Sequence, residues 1–407
     1  MLIELYGKKM VSNKRLVFVL EYLGKDTNST SYYWTKILEF LGTDYEILII
    51  APNSKKNISY LNSSNFKSIL YELTSYSKAN LFSRLRAYIK MSLAFYKVSK
   101  HEFTGSDILI SGTNSIFNMF FLSLIKKKLD THWLLFGYDI FPENLIPANV
   151  VSKYNPIFKI ASVIFSRLYS SPDDIVAVGR DMRTLLIKKV NNRTRVHYIP
   201  NWAQHSEIEL SNKNDNSILN QLNWNMTETI VFQFFGNFGV LQDVYGVLEA
   251  IKLAKSPNAK FLFIGSGSEA VNISALIEKI GDERIYFYGE CDISAKNTAL
   301  NACDVAFVPL KKGMLGLAVP SKSYFSFAAN KPIIAIGDEG SELRLLVDEY
   351  PLGWGCNSGD PAVLAKIIDH ISSNKGCLAK MEPRASLINH FSETHSLTAI
   401  RNLISDY

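Results

Sequence analysis

Residues 318–332, AVPSKSYFSFAANKP, combine the features of an anion-binding site. They lie between two apolar segments, 304–310 and 333–336, that are typical of buried parallel strands. Ser321 is placed to cap a helix whose first turn contains Lys322, and a helix N-terminus attracts anions through its unpaired N–H groups and its dipole. Because α/β proteins hold nucleotide phosphates at the carboxyl ends of parallel strands, this segment predicts a phosphate site.

Glycine-bearing loops follow three further predicted strands, at 230–235, 260–264 and 284–288. The loop residues are Gly236, Asn237 and Gly239, then Gly265, Ser266 and Gly267, and finally Gly289, Glu290, Cys291 and Asp292. Glycine lets backbone N–H groups approach a phosphate closely. The alternative is a tight strand-to-helix turn, which glycine serves equally well.

Two carboxylates follow a buried strand predicted at 132–136 in the first half. Asp139 and Glu143 are four residues apart, and helical spacing would place both on one face. There they would bind substrate hydroxyl groups or assist their deprotonation. Alternatively, Asp139 caps a turn and Glu143 is a surface charge. Arg180 begins a later helix and would meet an anion across a cleft or form a surface salt bridge.

Strand-like and helix-like segments alternate along both halves of the chain, which a polar stretch at 205–220 separates. This alternation predicts the α/β class, with two doubly wound domains facing across a cleft. The segment 52–77, rich in Ser, Asn and Lys, is predicted to be mostly loop. Helices are predicted at 81–103, 116–129 and 392–404, among others.

The net charge of +6 conceals an asymmetry, since residues 1–200 carry +12 and residues 201–407 carry −6. A basic half favours a polyanionic partner, either a membrane or a nucleic acid. Segments 81–100 and 116–128 mix basic with apolar residues, as helices on anionic lipid do. Ordinary domain helices with one core face are the alternative. No nucleic-acid-binding module is recognisable, so we expect no nucleic acid partner.

Several other classes are disfavoured. No run of about 18 apolar residues exists, and residues 1–10 lack the apolar core of a signal peptide. The four cysteines, Cys291, Cys303, Cys356 and Cys377, lack paired metal-ligand spacing and are expected to be reduced thiols rather than disulfides or metal ligands. We therefore expect a cytoplasmic protein.

An ordered set of motifs along the chain resembles one family. The motifs are YDIFPE (138–143), VGRDM (178–182), IPNW (199–202), FFGNFG (234–239), LFIGSG (262–267), NACDVAFVPL (301–310), VPSKSYFSFAANKPIIA (319–335) and GSEL (340–343). The set resembles bacterial retaining glycosyltransferases of the GT-B fold, family 4, in the branch that builds O-antigens, capsules and exopolysaccharides. The resemblance extends from about residue 15 to about residue 395.

The resemblance implies two Rossmann-like domains, with the acceptor on residues 1–202 and a nucleotide sugar on residues 203–383. Residues 384–407 would form a helix that crosses back to the first domain. The implied reaction moves a sugar from a nucleoside diphosphate sugar to a polyprenyl-diphosphate-linked glycan with retained configuration, and it requires neither metal nor cofactor. The sequence contains no Asp-x-Asp motif. A lipid-linked acceptor would keep this cytoplasmic protein peripherally on the inner face of the cell membrane.

The resemblance also implies roles for individual residues. Lys322 would stabilise the charge that develops on the leaving diphosphate, while Asp139 and Glu143 would face the acceptor. The departing phosphate would itself be the base. The donor would contact Gly236, Asn237, Gly239, Gly265, Gly267, Pro320, Ser321, Lys322 and Glu342.

The chain departs from the family pattern at two positions. The family often carries two glutamates eight residues apart, and the corresponding positions here are Leu317 and Phe325. Glu342 is an acidic candidate for the missing ribose or sugar contact, unless it only complements the dipole of its helix. Residues 26–30 stand where the family has a glycine-rich loop, and Asn28, Ser29 and Thr30 among them would cap the following helix and contact phosphate.

Two alternative functions fit the same pattern. A sugar-nucleotide 2-epimerase of GT-B fold would need acids in the cleft and no acceptor. A non-catalytic partner of a glycosyltransferase would agree with the apolar residues Leu317 and Phe325.

Overall fold

The computed structural model describes residues 14–74, 81–113 and 116–407, without the side chains of 81–85 and 116–117. Residues 1–10, for which no signal peptide is expected, lie outside these ranges. Within them the chain builds two sheets of parallel strands, each flanked by helices. We refer to the parts built on the first and second sheets as the N-terminal and C-terminal domains.

The seven strands of the first sheet are ordered β3-β2-β1-β4-β5-β6-β7. They are β1 (Arg15–Val19), β2 (Glu46–Pro52), β3 (Lys67–Tyr71), β4 (Ile108–Gly112), β5 (His132–Gly137), β6 (Asp174–Ala177) and β7 (Arg195–Tyr198). The helices of this domain are α1 (Ser29–Leu41), α2 (Lys55–Ser63), α3 (Leu81–Ser99), α4 (Ile116–Leu129), α5 (Pro156–Tyr169) and α6 (Arg180–Lys189).

The six strands of the second sheet are ordered β10-β9-β8-β11-β12-β13. They are β8 (Ile230–Phe235), β9 (Ala259–Ile264), β10 (Ile285–Gly289), β11 (Val305–Pro309), β12 (Ile333–Ile336) and β13 (Gly353–Cys356). The helices are α7 (Ser217–Gln221), α8 (Val244–Leu253), α9 (Ala270–Ile280), α10 (Lys296–Asn301), α11 (Lys322–Ala328), α12 (Glu342–Glu349), α13 (Pro361–Ser373), α14 (Pro383–His390) and α15 (Glu393–Ser405).

The predicted architecture of two doubly wound α/β domains is confirmed, because every strand pair in both sheets is parallel. Apolar strands such as β1 and β11 are buried on both faces, as parallel sheets require. Helices α1, α2 and α15 contribute to the core on one face of the first sheet, and α3, α4 and α5 to the core on the other.

The prediction of loop for 52–77 is wrong, because α2 and β3 form within this segment. Strand β3 lies at the edge of the sheet and pairs only with β2, so three of its five side chains are exposed, Lys67, Ser68 and Leu70. A half-exposed edge strand lacks the apolar run that marks a central one.

The last helix, α15, packs on the N-terminal domain. Leu397 and Ile400 join the core beneath the first sheet, and the Ser396 hydroxyl donates a hydrogen bond of 3.1 Å to the carbonyl of Pro200. Beyond the helix, the Tyr407 hydroxyl donates to the buried Asp174 at the start of β6. The end of the chain is therefore anchored to the N-terminal domain.

All four cysteines are free thiols, as expected, and three of them are buried. None of the helices formed by residues 14–74, 81–113 and 116–407 is both long and apolar enough to cross a membrane.

Candidate active site

A cavity of about 730 Å³ separates the two domains at the carboxyl ends of their strands. The N-terminal domain contributes residues that follow β1 and β5, and the C-terminal domain contributes residues that follow β8, β9, β10 and β11. Ligands of open parallel sheets bind at this edge, and the volume suits a nucleotide-sized ligand.

Lys322 is the cation at the centre of the C-terminal wall. Its Nζ lies 2.8 Å from Oε1 of Gln242 and 3.9 Å from the centre of the Phe234 ring. Among the described residues no carboxylate lies within ion-pair distance of this ammonium group. Burial lowers the pKa of Lys322 to about 7. A partly buried cation without a carboxylate partner favours an anionic ligand.

The segment before Lys322 differs in detail from its prediction. Helix α11 begins at Lys322 and is short, and Ser321 occupies the cap position without a side-chain capping hydrogen bond. Pro320 and Ser321 line the cavity beside Lys322. The positive charge of this wall therefore depends more on the ammonium group than on the helix end.

Two glycines let the loops after β8 and β9 approach each other and Lys322. Gly265 has φ of +140°, and an added Cβ would lie 1.8 Å from the carbonyl oxygen of Gly236. Gly236 itself has φ of +134°, and its added Cβ would lie 3.7 Å from Nζ of Lys322. Both glycines and Asn237 line the cavity. The other two predicted glycines, Gly239 and Gly267, do not line it and lie against the side chain of Asn237.

A second cation in the cavity, Lys296, belongs to none of the motifs found in the sequence. Its Nζ lies 4.4 Å from the ring centre of Phe325 and 5.8 Å from that of Tyr32. Burial lowers the pKa of Lys296, and the charges of Asp26 and Glu207 only partly oppose this effect. A lone lysine in a polar segment gives no sequence signal, so only the fold reveals its position.

The two positions without the expected glutamates contact the N-terminal domain. The ring of Phe325 meets that of Tyr32 edge to face, with 5.2 Å between their centres. Leu317 is buried, and its carbonyl accepts a hydrogen bond of 3.2 Å from the backbone N–H of Ile140. Phe325 thus lines the cavity as part of an aromatic contact between the domains, while Leu317 belongs to their apolar contact.

Asp139 and Glu143 are separated by the structure, contrary to the prediction of one helix face. Asp139 lines the cavity, and burial raises its pKa to about 6. Glu143 lies outside the cavity and accepts a hydrogen bond of 2.6 Å from Nζ of Lys189. The segment between them is a turn that leads into a single 3-10 turn, so four-residue spacing does not align the two carboxylates.

The expectation that Glu342 contacts the donor is corrected by its surroundings. Glu342 is fully buried and lies outside the cavity. One carboxylate oxygen accepts hydrogen bonds from the backbone and side chain of Arg180, and the other accepts from Tyr198 at 2.9 Å. Arg180 also forms an ion pair with Glu349, so the anionic groups that it contacts across the domain boundary are protein carboxylates and not a ligand. These contacts connect the domains and leave neither group for a ligand.

Residues 25–30 of the loop after β1 line the cavity opposite Lys322. Asn28 caps α1 as predicted, with its Oδ1 accepting a hydrogen bond of 2.8 Å from the N–H of Ser31. A second cavity of about 470 Å³ is bounded by this loop and by α2, including Tyr60. The two cavities share Lys25, Asp26, Thr27 and Ile293, so the open space continues from the interdomain cavity towards α2 of the N-terminal domain.

Comparisons with known proteins agree with this geometry. The family model "Glycosyl transferases group 1" matches residues 214–389. The chain is 36% identical over 399 residues to "Probable glycosyltransferase WbjE" of Pseudomonas aeruginosa, covering 96% of this chain and 99% of that protein. It is 22% identical over 180 residues to the putative colanic acid biosynthesis glycosyl transferase WcaI of Escherichia coli K12, covering 44% of each.

Among solved structures, the Anabaena protein HepE in complex with UDP superimposes with a TM-score of 0.72 at 13% identity. The match covers 97% of this chain and 100% of the HepE chain. The shared fold and the extensive identity to WbjE together show that the chain is an enzyme of the glycosyltransferase family with the GT-B fold.

Proposed function

We propose that this glycosyltransferase moves a sugar from a nucleoside diphosphate sugar to a lipid-linked glycan during the synthesis of a surface polysaccharide, with retained anomeric configuration. The resemblance to family 4 of the GT-B enzymes supports this assignment. The name of the relative WcaI supports the pathway class, and the UDP complex of HepE supports the donor class.

The position of Lys322 carries the proposal. As the bond between the sugar and the diphosphate breaks, negative charge grows on the β-phosphate. Lys322 and Gly236 both line the cavity, and a Cβ added at Gly236 would lie 3.7 Å from Nζ of Lys322, so the ammonium group is close to the backbone of this glycine loop. Lys296 adds a second cation near the opposite domain. In this proposal two protein ammonium groups, and no metal ion, stabilise the leaving group.

The departing diphosphate also removes the proton of the acceptor in this proposal. The anomeric carbon loses its bond to the phosphate oxygen and gains a bond to the acceptor oxygen on the same face. The hydroxyl proton passes to the phosphate oxygen that has left. Asp139, on the N-terminal wall, accepts a hydrogen bond from a neighbouring hydroxyl of the acceptor sugar and so orients the reacting hydroxyl towards the anomeric carbon. Its raised pKa reflects the low polarity in which this carboxylate is held.

The acceptor approaches over the N-terminal domain. The second cavity beside α2 extends the active-site space away from Lys322 and past Lys25 and Thr27. A glycan that extends beyond the reacting sugar requires such an open groove, whereas a small free sugar does not.

Donor binding and transfer test the proposal. Thermal shift with nucleoside diphosphates and their sugars identifies the donor, because a ligand of the folded state raises the melting temperature. Incubation with this donor and lipid-linked acceptors, followed by NMR of the product, then determines the anomeric configuration. A product formed from donor alone, with an epimerised sugar, would instead indicate an epimerase. The assignment is wrong if no nucleoside diphosphate sugar binds at millimolar concentration.

A further inference from the structure

The N-terminal domain exposes an aliphatic helix face that its core does not use. The outward residues of α5 are Ile157, Ile160, Val163 and Ile164, and they are 75%, 62%, 55% and 50% exposed. Soluble helices usually present polar residues on this side. Phe158 and Tyr169 are the buried residues of α5, so its outward aliphatic side chains form an exposed apolar surface instead of part of the core.

The neighbouring helices extend this face. Helix α3 packs beside α4 through the hydrogen bond of 2.9 Å between Ser92 and Asn118 and the stacked rings of Tyr96 and Phe121. Helix α4 reaches the end of α5 through the contact of 2.9 Å between the hydroxyls of Ser123 and Ser171. The exposed apolar side chains of these two helices include Leu93 on α3 and Phe120 and Leu124 on α4.

Basic residues border these aliphatic side chains, and α3, α4 and α5 contain no aspartate or glutamate. Their exposed basic side chains are Arg86, Lys90, Lys97, Lys127, Lys128, Lys159 and Arg167. Within the described part of the chain, none of these seven forms an ion pair. A surface that is both apolar and uniformly basic matches anionic lipid, in which acyl chains lie beneath phosphate headgroups.

We propose that the exposed face of α3, α4 and α5 (the α3–α5 face) docks this enzyme on an anionic lipid bilayer. A second copy of the chain is disfavoured as the occupant, because a twofold contact would bring two sets of lysines together. The aliphatic residues of α5 insert at the acyl boundary, and the lysines and arginines of all three helices meet the lipid phosphates.

The face is placed to deliver a lipid-linked substrate. In a parallel sheet the connecting helices run opposite to the strands, so the N-terminal end of α5 lies at the edge where the cavity opens. The chain leads from Tyr138 and Asp139 in the cavity wall to Ile157 in the first turn of α5. This step rests on the proposed acceptor class, whereas lipid binding itself does not.

Sedimentation of the full chain with vesicles tests the docking surface. We expect binding to phosphatidylcholine vesicles that contain about 30% phosphatidylglycerol, weak binding to phosphatidylcholine alone, and release in about 0.5 M salt. Lys127→Gln with Lys128→Gln should weaken binding roughly 30-fold. Ile157→Ser, Ile160→Ser and Ile164→Ser combined should weaken it at least about tenfold.

Matched changes on the C-terminal domain provide the controls. Lys279→Gln with Lys366→Gln removes two exposed charges, and Val271→Ser with Met226→Ser removes two exposed apolar side chains. Neither pair should change vesicle binding. The proposal is overturned if the wild-type chain does not bind the anionic vesicles or if the α5 triple variant, folded by circular dichroism, binds as well as wild type. It is also overturned if the wild-type chain forms a dimer in the absence of lipid and the triple variant does not.

Sugar-transfer assays with two acceptors distinguish an error in the docking proposal from an error in the proposed function. The α5 triple variant should transfer sugar to a short-chain acceptor in detergent as fast as wild type, and at least about tenfold more slowly to the same glycan on a long lipid in anionic vesicles. Equal loss with both acceptors would contradict docking. Absence of transfer by wild type would contradict the proposed function and leave the vesicle result intact.

Discussion

The carboxylate of Glu342 accepts hydrogen bonds of 2.7 and 3.0 Å from the backbone N–H and the guanidinium of Arg180, across the boundary between the domains. By contrast, the ammonium group of Lys322 in the nearby cavity has an uncharged oxygen, that of Gln242, as its hydrogen-bond partner. The first charge is neutralised by the protein, whereas the second is not. Arg180 and Glu342 therefore form an ion pair that connects the domains, whereas Lys322 is available to bind an anionic ligand.

Removing Arg180 should destabilise the enzyme, because Glu342 would remain buried without its counter-ion. We expect Arg180→Ala to lower the free energy of unfolding by about 3 kcal/mol, the usual cost of breaking a buried pair. Arg183→Ala, on the exposed side of the same helix, should cost less than about 1 kcal/mol. Chemical denaturation measures both, and equal values for the two variants would show that the Arg180 pair adds no stability.

Neutralising Lys322 should slow the reaction because the leaving diphosphate loses its nearest cation. We expect Lys322→Met to reduce kcat roughly tenfold or more, measured as release of the nucleoside diphosphate. The same substitution at exposed Lys312, in the same domain, serves as the control and should leave kcat unchanged. If Lys322→Met turns over donor at the wild-type rate, Lys322 does not stabilise the leaving group.

Nucleoside diphosphate binding should be coupled to proton uptake. In the free enzyme, burial holds the pKa of Lys322 at about 7, below its ordinary value of 10.5. The folded chain therefore binds fewer protons than the unfolded chain between these values, so this group makes folding more favourable as pH rises across that window. A bound diphosphate raises the pKa again, and at about pH 8 the complex takes up as much as about one proton.

Calorimetry in two buffers of different ionisation enthalpy measures this uptake. We expect wild type to take up protons on binding UDP or the preferred diphosphate, with affinity falling as pH rises through about 7. Lys322→Met should abolish the difference between buffers. Proton release by wild type, or an unchanged difference in the variant, would contradict the pKa assigned to Lys322.

The elements with strong hydrophobic patterns were predictable from the sequence. Strands β8 and β12 and helix α4 form at the predicted residues, because long apolar runs bounded by turn residues have few alternatives. Strand β13 was not predicted, since GWGC lacks the branched side chains that mark a strand. It forms because it completes the edge of the second sheet beside β12.

Site residues that belong to sequence motifs were predictable, whereas those whose positions depend on tertiary contacts were not. Lys322, Gly236 and Gly265 follow strands whose carboxyl ends must meet at one edge, so topology alone brings them together. Glu342 also follows a strand in the same sheet, but its side chain turns to Arg180 on another domain. A contact between residues 162 positions apart leaves no local pattern in the sequence.

The two carboxylates of the first half should respond differently to neutralisation. We expect Asp139→Asn to reduce transfer to the acceptor at least about tenfold while donor binding stays unchanged, because Asp139 lies in the cavity on the acceptor side. Glu143→Gln should leave transfer nearly unchanged and reduce stability, because Glu143 pairs with Lys189, whose side chain is only 6% exposed. Initial rates at saturating donor and melting temperatures distinguish the two residues, and the opposite pattern would return Glu143 to the active site.

Lys296 should contribute to donor binding although no motif marks it. Its ammonium group lies above the rings of Phe325 and Tyr32, which join the two domains across the cavity. The charges of Asp26 and Glu207 act on it, but no carboxylate of the described residues lies within ion-pair distance. A diphosphate between the domains would meet both Lys296 and Lys322. We therefore expect Lys296→Gln to weaken nucleoside diphosphate binding roughly tenfold, as the loss of about one charge-assisted hydrogen bond would. Titration calorimetry measures this change in Kd. Lys279→Gln, exposed on the outer helix α9, should not change the Kd. An unchanged Kd in Lys296→Gln with a raised KM for the acceptor would assign Lys296 to the acceptor instead.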